Sequence, residues 1–181
     1  MHRSILFFSS LRISGGICFC HEKVVFLSRD SAFTPRPFIA HQLMQIQEIA
    51  RALENFAPLP LQEGYDNAGL QIGIKGNEWS GALLCLDVTE AVIEEAAAKG
   101  CNLIVAHHPL LFRGLKQVSD TTQVERCVRL AVQRDIAIYA AHTNLDNARG
   151  GVNYEIAERL GLHAVDFLRP AGEGGSGLIG L

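Results

Sequence analysis

Two adjacent histidines, His107 and His108, directly follow a short apolar run at residues 101–106. The run contains β-branched residues and is too short for a free-standing helix, so it predicts a buried strand. Consecutive side chains of a regular strand point to opposite faces, which would keep the two imidazoles apart. Pro109 removes the next backbone donor and restricts His108 to extended or turn geometry, so we expect the chain to twist there and bring both rings together.

A second apolar run, at residues 136–141, is followed by His142 and Asp146. A single histidine near a strand end is most often a hydrogen-bonded boundary residue. That interpretation explains a single histidine, but here side chains of metal-ligand type follow two different strands. Because ligands of open α/β sheets bind outside the carboxyl ends of the strands, we expect both groups to face one crevice.

Imidazoles combined with a carboxylate are typical ligands of Zn²⁺, Mn²⁺ or Fe²⁺. Adjacent histidines suit a close pair of ions better than one tetrahedral ion, because each ring can then serve a different ion. Such a pair lowers the pKa of bound water and clamps the attacking and leaving oxygens of a hydrolytic reaction. We therefore predict metal-assisted hydrolysis at a site formed by His107, His108 and Asp146, with His142 as a further candidate. Two ions need more ligands, and the late candidates are His163, Asp166 and Glu173.

Composition and charge narrow the function classes. The chain has 181 residues, 48% of them apolar, and a formal charge of −3. It can therefore bury one main core, and it has no basic footprint for nucleic acid. Its five cysteines are an odd number, which is typical of buried thiols in a reducing compartment rather than of a disulfide framework. We expect a cytoplasmic protein without a membrane span, since no apolar run approaches roughly 18 residues.

Residues 1–43 lack any sustained helical or strand period, so we expect a disordered segment or a mistakenly included leader before a natural start at Met44. A signal or transit peptide is the alternative, because basic residues outnumber acidic ones here. Cys18, Cys20 and His21 are metal-ligand types, but no second pair lies at finger-like spacing.

The remaining chain alternates helices and strands. A helix ending before Pro58 is predicted by apolar residues at helical spacing, namely Ile46, Ile49, Ala50 and Leu53. Glycines and the pair Asp66 and Asn67 predict a turn that leads into a strand through Leu70 and Ile72. We assign the Asp-Asn pair a structural role, because such residues in turns usually bond to their own backbone.

Residues 82–87 form another buried-strand run, after which Thr89 stands at a helix N-cap and Gly100 at the helix end. Asp120 with Gln123 predicts a capping box at the start of the next helix. The apolar stripe of that helix is Val124, Cys127, Val128 and Ala131. Strand, helix, strand, helix, strand at this spacing predicts right-handed βαβ crossovers and a largely parallel sheet.

Gly150 and Gly151 open a further predicted helix, whose apolar residues in line are Val152, Ile156 and Leu160. Free N–H groups at such a start can receive an anion, although a tight turn explains the glycines equally well. Beyond it, the glycine-rich residues 172–177 lead to residues 178–181, which predict the opening of another strand.

Three motifs resemble those of the Nif-three-like dinuclear metal-centre family, also known as GTP cyclohydrolase type-one type-two homologues. They are residues 106–112 (AHHPLLF), 141–146 (AHTNLD) and 66–73 (DNAGLQIG), and the resemblance runs from about Met44 to the C-terminus. It implies a three-layer αβα sandwich with a largely parallel mixed sheet, and a toroidal homohexamer as the assembly.

The resemblance also implies a two-metal site in which His107, His108 and Asp146 are ligands and His142 lies beside them. Family members carry a later histidine and glutamate that complete this site and bridge the ions, and neither is present here. We therefore expect the N-terminal part of such a protein, which by itself binds metal weakly, as one ion.

The function classes stay open at this point. One is a metal-dependent hydrolase acting on a small nucleotide-like substrate, for which the family implies GTP ring opening. The other is a non-catalytic metal-binding assembly or regulatory protein, because no general acid or base is evident besides the ligands. An inactive fragment is the third alternative.

Overall fold

The computed structural model describes residues 44–181, so the predictions for residues 1–43 lie outside the described residues. Four strands of the described part form the central sheet, in the order β1-β4-β3-β2. They are β1 (Gly69–Ile72), β2 (Ala82–Cys85), β3 (Leu103–Ala106) and β4 (Ala137–Ala140). Strands β2, β3 and β4 are parallel, and β1 is antiparallel to β4. The predicted largely parallel mixed sheet is confirmed.

Helices cover both faces of this sheet. Helix α1 (Ile46–Phe56) packs on one face, and α2 (Glu90–Ala98) and α3 (Gln123–Gln133) pack on the other. Because successive strand side chains alternate, Ile104 and Ile138 face α2 and α3, whereas Val105 and Tyr139 face α1. All residues of β3 and β4 are consequently buried. This is the expected three-layer αβα arrangement.

Two short helices follow β4, and a hairpin closes the described chain. The helices are α4 (Thr143–Asp146) and α5 (Val152–Arg159). The hairpin consists of β5 (Asp166–Ala171) and β6 (Gly174–Ile179), which are antiparallel. The glycine-rich stretch was predicted to lead into a strand, but Gly174 and Gly175 lie within β6. An added Cβ would come within 2.4 Å of Asn147 O at Gly174 and within 2.5 Å of Arg169 O at Gly175, so close backbone approach requires glycine at both positions.

The helix ends agree with the predictions at α2 and differ at α3. Thr89 caps α2, since its hydroxyl accepts the N–H of Val92. The predicted capping by Asp120 with Gln123 is wrong, because Thr122 caps α3 by accepting the N–H of Glu125 at 3.2 Å. A threonine three residues before a glutamate has the residue types of a capping box, and Thr122 rather than Asp120 caps the helix.

Helix α5 is present but buries little of its apolar line. Its buried residue is Ala157, whereas Ile156 and Leu160 are exposed.

The described cysteines are free and buried, as predicted: Cys85, Cys101 and Cys127. Burial, with a smaller effect of Asp87, raises the pKa of the Cys85 thiol to about 12. Within residues 44–181, the helices all fall short of the length and apolarity needed to cross a membrane.

Candidate metal centre

The predicted convergence of His107 and His108 comes from a departure from regular strand geometry. The N–H of His107 donates to Cys85 O at 3.1 Å, and the N–H of His108 donates to Leu86 O at 2.9 Å. Successive amides of a regular strand point to opposite neighbours, so two donations toward the same segment require the chain to turn here. The two ring centroids are consequently 5.1 Å apart.

His142 joins these two rings from the adjacent strand. It follows β4, which lies beside β3 in the sheet, and its ring centroid is 5.3 Å from that of His107 and 5.7 Å from that of His108. One ligand nitrogen from each of the three rings lies within 4.8 Å of the others. Nitrogen ligands around one tetrahedral zinc ion are roughly 3.4 Å apart. The group therefore has the spacing of ligands that close on one ion by side-chain rotation or share two ions.

His107 and His108 are oriented through their Nδ1 atoms. His107 Nδ1 lies 2.8 Å from Ala141 O, and His108 Nδ1 lies 2.7 Å from Asp87 Oδ1. A carbonyl or an ionised carboxylate only accepts hydrogen bonds, so each Nδ1 donates and the lone pair of the neutral ring is on Nε2. Metal-ligating histidines are usually held in this way by a carbonyl or carboxylate. His107 is the more enclosed ring, with 17% of its side chain exposed against 46% for His108.

His142 is oriented by Asp66, whose side chain is inaccessible to solvent. Asp66 Oδ1 accepts from His142 Nδ1 at 2.8 Å and from Asn67 N at 2.7 Å. Its Oδ2 accepts from the backbone N–H of Thr143 at 3.1 Å and from the hydroxyl of the same residue. Burial raises the pKa of Asp66, but the hydrogen bonds from Thr143, His142 and Asn67 outweigh burial and hold it below its ordinary value. An ionised Asp66 thus keeps the hydrogen of His142 on Nδ1.

The structural role assigned to Asp66 and Asn67 is therefore incomplete. Asp66 does bond to the next backbone amide, as expected of a turn residue. It also holds a histidine of the candidate site that is 76 residues away in the chain. Asp87, which orients His108, was missed as well. Its position at the end of the run 82–87, two residues beyond β2, is the signal that could have found it, because carboxyl ends of neighbouring parallel strands meet at one edge.

Asp146 lies at the edge of the imidazole group, at the end of α4. Its Oδ1 is 3.8 Å from His107 Nε2, and 31% of its side chain is exposed. Burial raises the pKa of this carboxyl more than the neighbouring His107 and His142 lower it. Ionising Asp146 without a counter-ion is costly, and a divalent cation would supply the missing charge. Three imidazoles and one carboxyl whose negative charge is not fully compensated by its neighbours form a donor set that fits such an ion.

The loop after Pro109 is fastened to β1. The N–H of Leu111 donates to Gln71 Oε1 at 3.0 Å, and its carbonyl accepts from Asn67 Nδ2 at 2.6 Å. Gln71 Nε2 also donates to Asn67 O at 2.8 Å. These bonds join two of the sequence motifs and place the ring of Phe112 at 6.3 Å and 90° to the ring of His142.

The late ligand candidates lie elsewhere among the described residues. Asp166 forms an ion pair with Arg149 at 3.0 Å, the backbone of His163 pairs with that of Leu181, and Glu173 is exposed in the hairpin. None of the three belongs to the imidazole group found within residues 44–181.

Gly151 is explained by a close approach. A Cβ at this position would lie 1.9 Å from Leu145 O, and the Gly151 N–H already donates to Ala148 O at 3.1 Å. The amide of Gly151 is therefore used in a turn and is not free for an anion, as the tight-turn explanation expects at this position.

The fold and the site define a three-layer α/β protein with a histidine cluster at the carboxyl ends of parallel strands. The model of the Duf34/NIF3 (NGG1p interacting factor 3) family matches residues 44–181. The chain belongs to this family, which confirms the resemblance carried by the three motifs.

Relatives and solved structures agree with this assignment. The GTP cyclohydrolase 1 type 2 homolog of Bacillus subtilis is 44% identical over 124 residues, which are 68% of this chain and 33% of that one. The homolog of Clostridium perfringens is 41% identical over 120 residues, or 66% of this chain and 46% of that one. The crystal structure of the Bacillus cereus protein related to NIF3 matches with a TM-score of 0.68 and 42% identity, covering 72% of this chain and 36% of that one. The chain thus spans about a third to a half of the length of these proteins.

Proposed function

We propose that the chain binds divalent metal ions through His107, His108 and Asp146, with His142 beside them, as part of a metal-dependent hydrolase site. The observation that carries this proposal is the convergence of three imidazoles that each have Nδ1 held by an oxygen acceptor. Zn²⁺, Mn²⁺ and Fe²⁺ are the ions that such a donor set takes. When bound, one or two such ions supply Lewis-acid activation of water.

The side chains of the site divide this work by their burial. His107 is the fixed ligand, because its ring is mostly enclosed and its Nδ1 is bonded to a backbone carbonyl. His108 and its partner Asp87 are more open, so this side of the site admits substrate. His142 is held by a buried carboxylate, which keeps its Nε2 lone pair available for a proton or an ion.

The proposed substrate is a small nucleotide-like molecule. Support comes from the names of the two relatives, both GTP cyclohydrolase 1 type 2 homologs. Because the chain covers less than half of either relative, the activity is proposed for the whole family protein, and this chain contributes the histidine-rich part of its site. Self-association into a homohexamer belongs to the same proposal, and light scattering after gel filtration measures it.

Metal binding is the first test. Isothermal titration with Zn²⁺ or Mn²⁺ should give saturable binding, with metal analysis counting the ions held. His108→Ala and Asp146→Asn should each weaken affinity at least about 10-fold, the range seen when ligands or their partners are removed. The matched control is His163→Ala, which removes an exposed imidazole outside the group. Unchanged affinity in both site variants, or an equal loss in the control, would contradict the proposed ligands.

Catalysis is the second test. GTP is incubated with the metal-loaded chain and, separately, with a longer family protein that carries the same motifs. The loss of GTP is followed by chromatography. Turnover that disappears in His108→Ala supports the hydrolase. Metal binding without turnover, or turnover indifferent to the substitution, would favour a non-catalytic metal-binding assembly or regulatory protein.

A further inference from the structure

We propose that Tyr65 and Phe112 form an aromatic rim that receives the flat ring of an anionic heterocyclic substrate beside the imidazole group. This inference rests on the proposed function of the site, and it names the part of the substrate that is bound outside the metal centre.

Phe112 is the side chain that joins the rim to the site. Its ring centroid lies 6.3 Å from that of His142, with the rings perpendicular, and 44% of the residue is exposed. A planar ring resting on Phe112 therefore lies beside the imidazole of His142. Ligand sites typically combine such apolar and aromatic walls with a few convergent polar groups.

The backbone that carries Phe112 is held on its N-terminal side. The preceding residue, Leu111, has both backbone groups bonded to side chains of the β1 region, Asn67 and Gln71. Phe112 keeps 44% of its surface exposed beside this fastened backbone. A ring on a held backbone loses little conformational freedom when a ligand covers it. This preorganisation distinguishes Phe112 from the other exposed apolar residues of its loop.

Tyr65 supplies the second ring of the rim. It is 67% exposed, and its ring centroid lies 6.4 Å from that of Phe112 at an interplanar angle of 64°. The two exposed rings meet edge to face and form a corner, at which one can stack on a planar ligand while the other meets its edge. Aromatic stacking accepts any planar base, so the corner recognises ring shape more than substituents.

The charge of the loop indicates that the ligand is an anion. Residues 109–118 contain Arg113 and Lys116 and no acidic residue. Both cations are exposed. A phosphorylated heterocycle would thus place its ring on the rim and its phosphates toward this loop, because guanidinium and ammonium groups bind phosphate.

The test compares three probes on the metal-loaded chain by saturation-transfer NMR and calorimetry: GTP, guanosine and inorganic tripolyphosphate. Phe112→Ala should weaken GTP and guanosine about 10-fold, the loss expected for one stacked base, and leave tripolyphosphate unchanged. Phe112→Trp should retain binding of both nucleobase probes. The double variant Arg113→Ala with Lys116→Ala should weaken GTP and tripolyphosphate but not guanosine.

Leu115→Ala is the matched control, since Leu115 is exposed in the same loop and belongs to neither group. It should change none of the affinities. Equal nucleobase affinity in Phe112→Ala and the unmodified chain, no guanosine binding at all, or a parallel loss of tripolyphosphate would each overturn the rim. Metal titration of the same samples separates the two proposals, because the rim can fail while the ligands bind metal, and guanosine binding can be measured where metal binding fails.

Discussion

Removing the buried carboxylate of Asp66 should destabilise the fold and release the His142 ring. The Asp66→Ala substitution leaves the ring N–H of His142, the N–H and hydroxyl of Thr143 and the N–H of Asn67 without their acceptor. A hydrogen bond to a charged group contributes about 1.5–3 kcal/mol, and such bonds in one network are not additive. We expect a loss of about 3–5 kcal/mol in the free energy of unfolding, as for other broken buried charge networks.

Asp87→Ala is the control, because Asp87 also accepts from a histidine Nδ1 but is 64% exposed. An exposed pair contributes about 0–1 kcal/mol, so the control should unfold close to the unmodified chain. At about 3 °C per kcal/mol for a domain of this size, Asp66→Ala should lower the melting temperature by about 9–15 °C. Calorimetry of the metal-free proteins measures both variants.

Asp66→Asn separates the orientation of His142 from stability. The amide keeps the shape of the carboxylate but accepts only through its oxygen, so the hydrogen of His142 is held on Nδ1 only when that oxygen faces the ring. Nitrogen-15 NMR of the ring reads this directly: we expect the Nδ1–H form in the unmodified chain and a mixture in the variant. An unchanged ring spectrum in Asp66→Asn, or a melting temperature of Asp66→Ala within about 2 °C of the control, would refute the reasoning.

The other predictions concern the pH dependence of Asp66, the turn before α5, the Asp146 carboxyl and the buried thiols. The pKa of Asp66 is lowered in the fold, so the ionised carboxylate stabilises the folded state above the ordinary value of 3.8, and this stabilisation is lost as pH falls through the folded pKa. The free energy of unfolding, measured as pH is lowered, should show this loss in the unmodified chain and not in Asp66→Ala. Gly151→Ala should cost at least about 3 kcal/mol, because its Cβ would meet Leu145 O at 1.9 Å, whereas Gly76→Ala has nothing within 4 Å and should be near neutral in urea unfolding. Asp146→Asn should leave the metal-free chain as stable or more stable at neutral pH, since burial raises the pKa of this carboxyl and makes ionisation costly; a lower melting temperature would count against that cost. In a Cys18→Ser, Cys20→Ser variant, a thiol reagent should label none of the remaining cysteines before unfolding and all of them in denaturant, since the residues concerned are buried: Cys85, Cys101 and Cys127.

Local pattern in the sequence was sufficient for most of the elements and for the position of the histidines. Apolar runs ending in His107 and His142 predicted buried parallel strands whose carboxyl ends meet, because strand burial and sheet topology follow from hydrophobic periodicity and connection length. The cap of α2 was also predictable, since it depends on Thr89 and residues within one turn of it. The cap of α3 was predicted at the wrong residue although its signal is local, because Thr122 with Glu125 has the residue types of a capping box and stands two residues after Asp120.

Only the tertiary structure decided how the histidines are held. Asp66 and His142 are 76 residues apart, and Asn67 and Leu111 are 44 residues apart, so neither contact has a local signature. The same is true of Gly151, which is required by a carbonyl that packs against it rather than by its own backbone angle. Residue types and spacing thus determined which side chains reach the sheet edge, whereas ring orientation, charge compensation and close packing depend on partners that folding brings from distant parts of the chain.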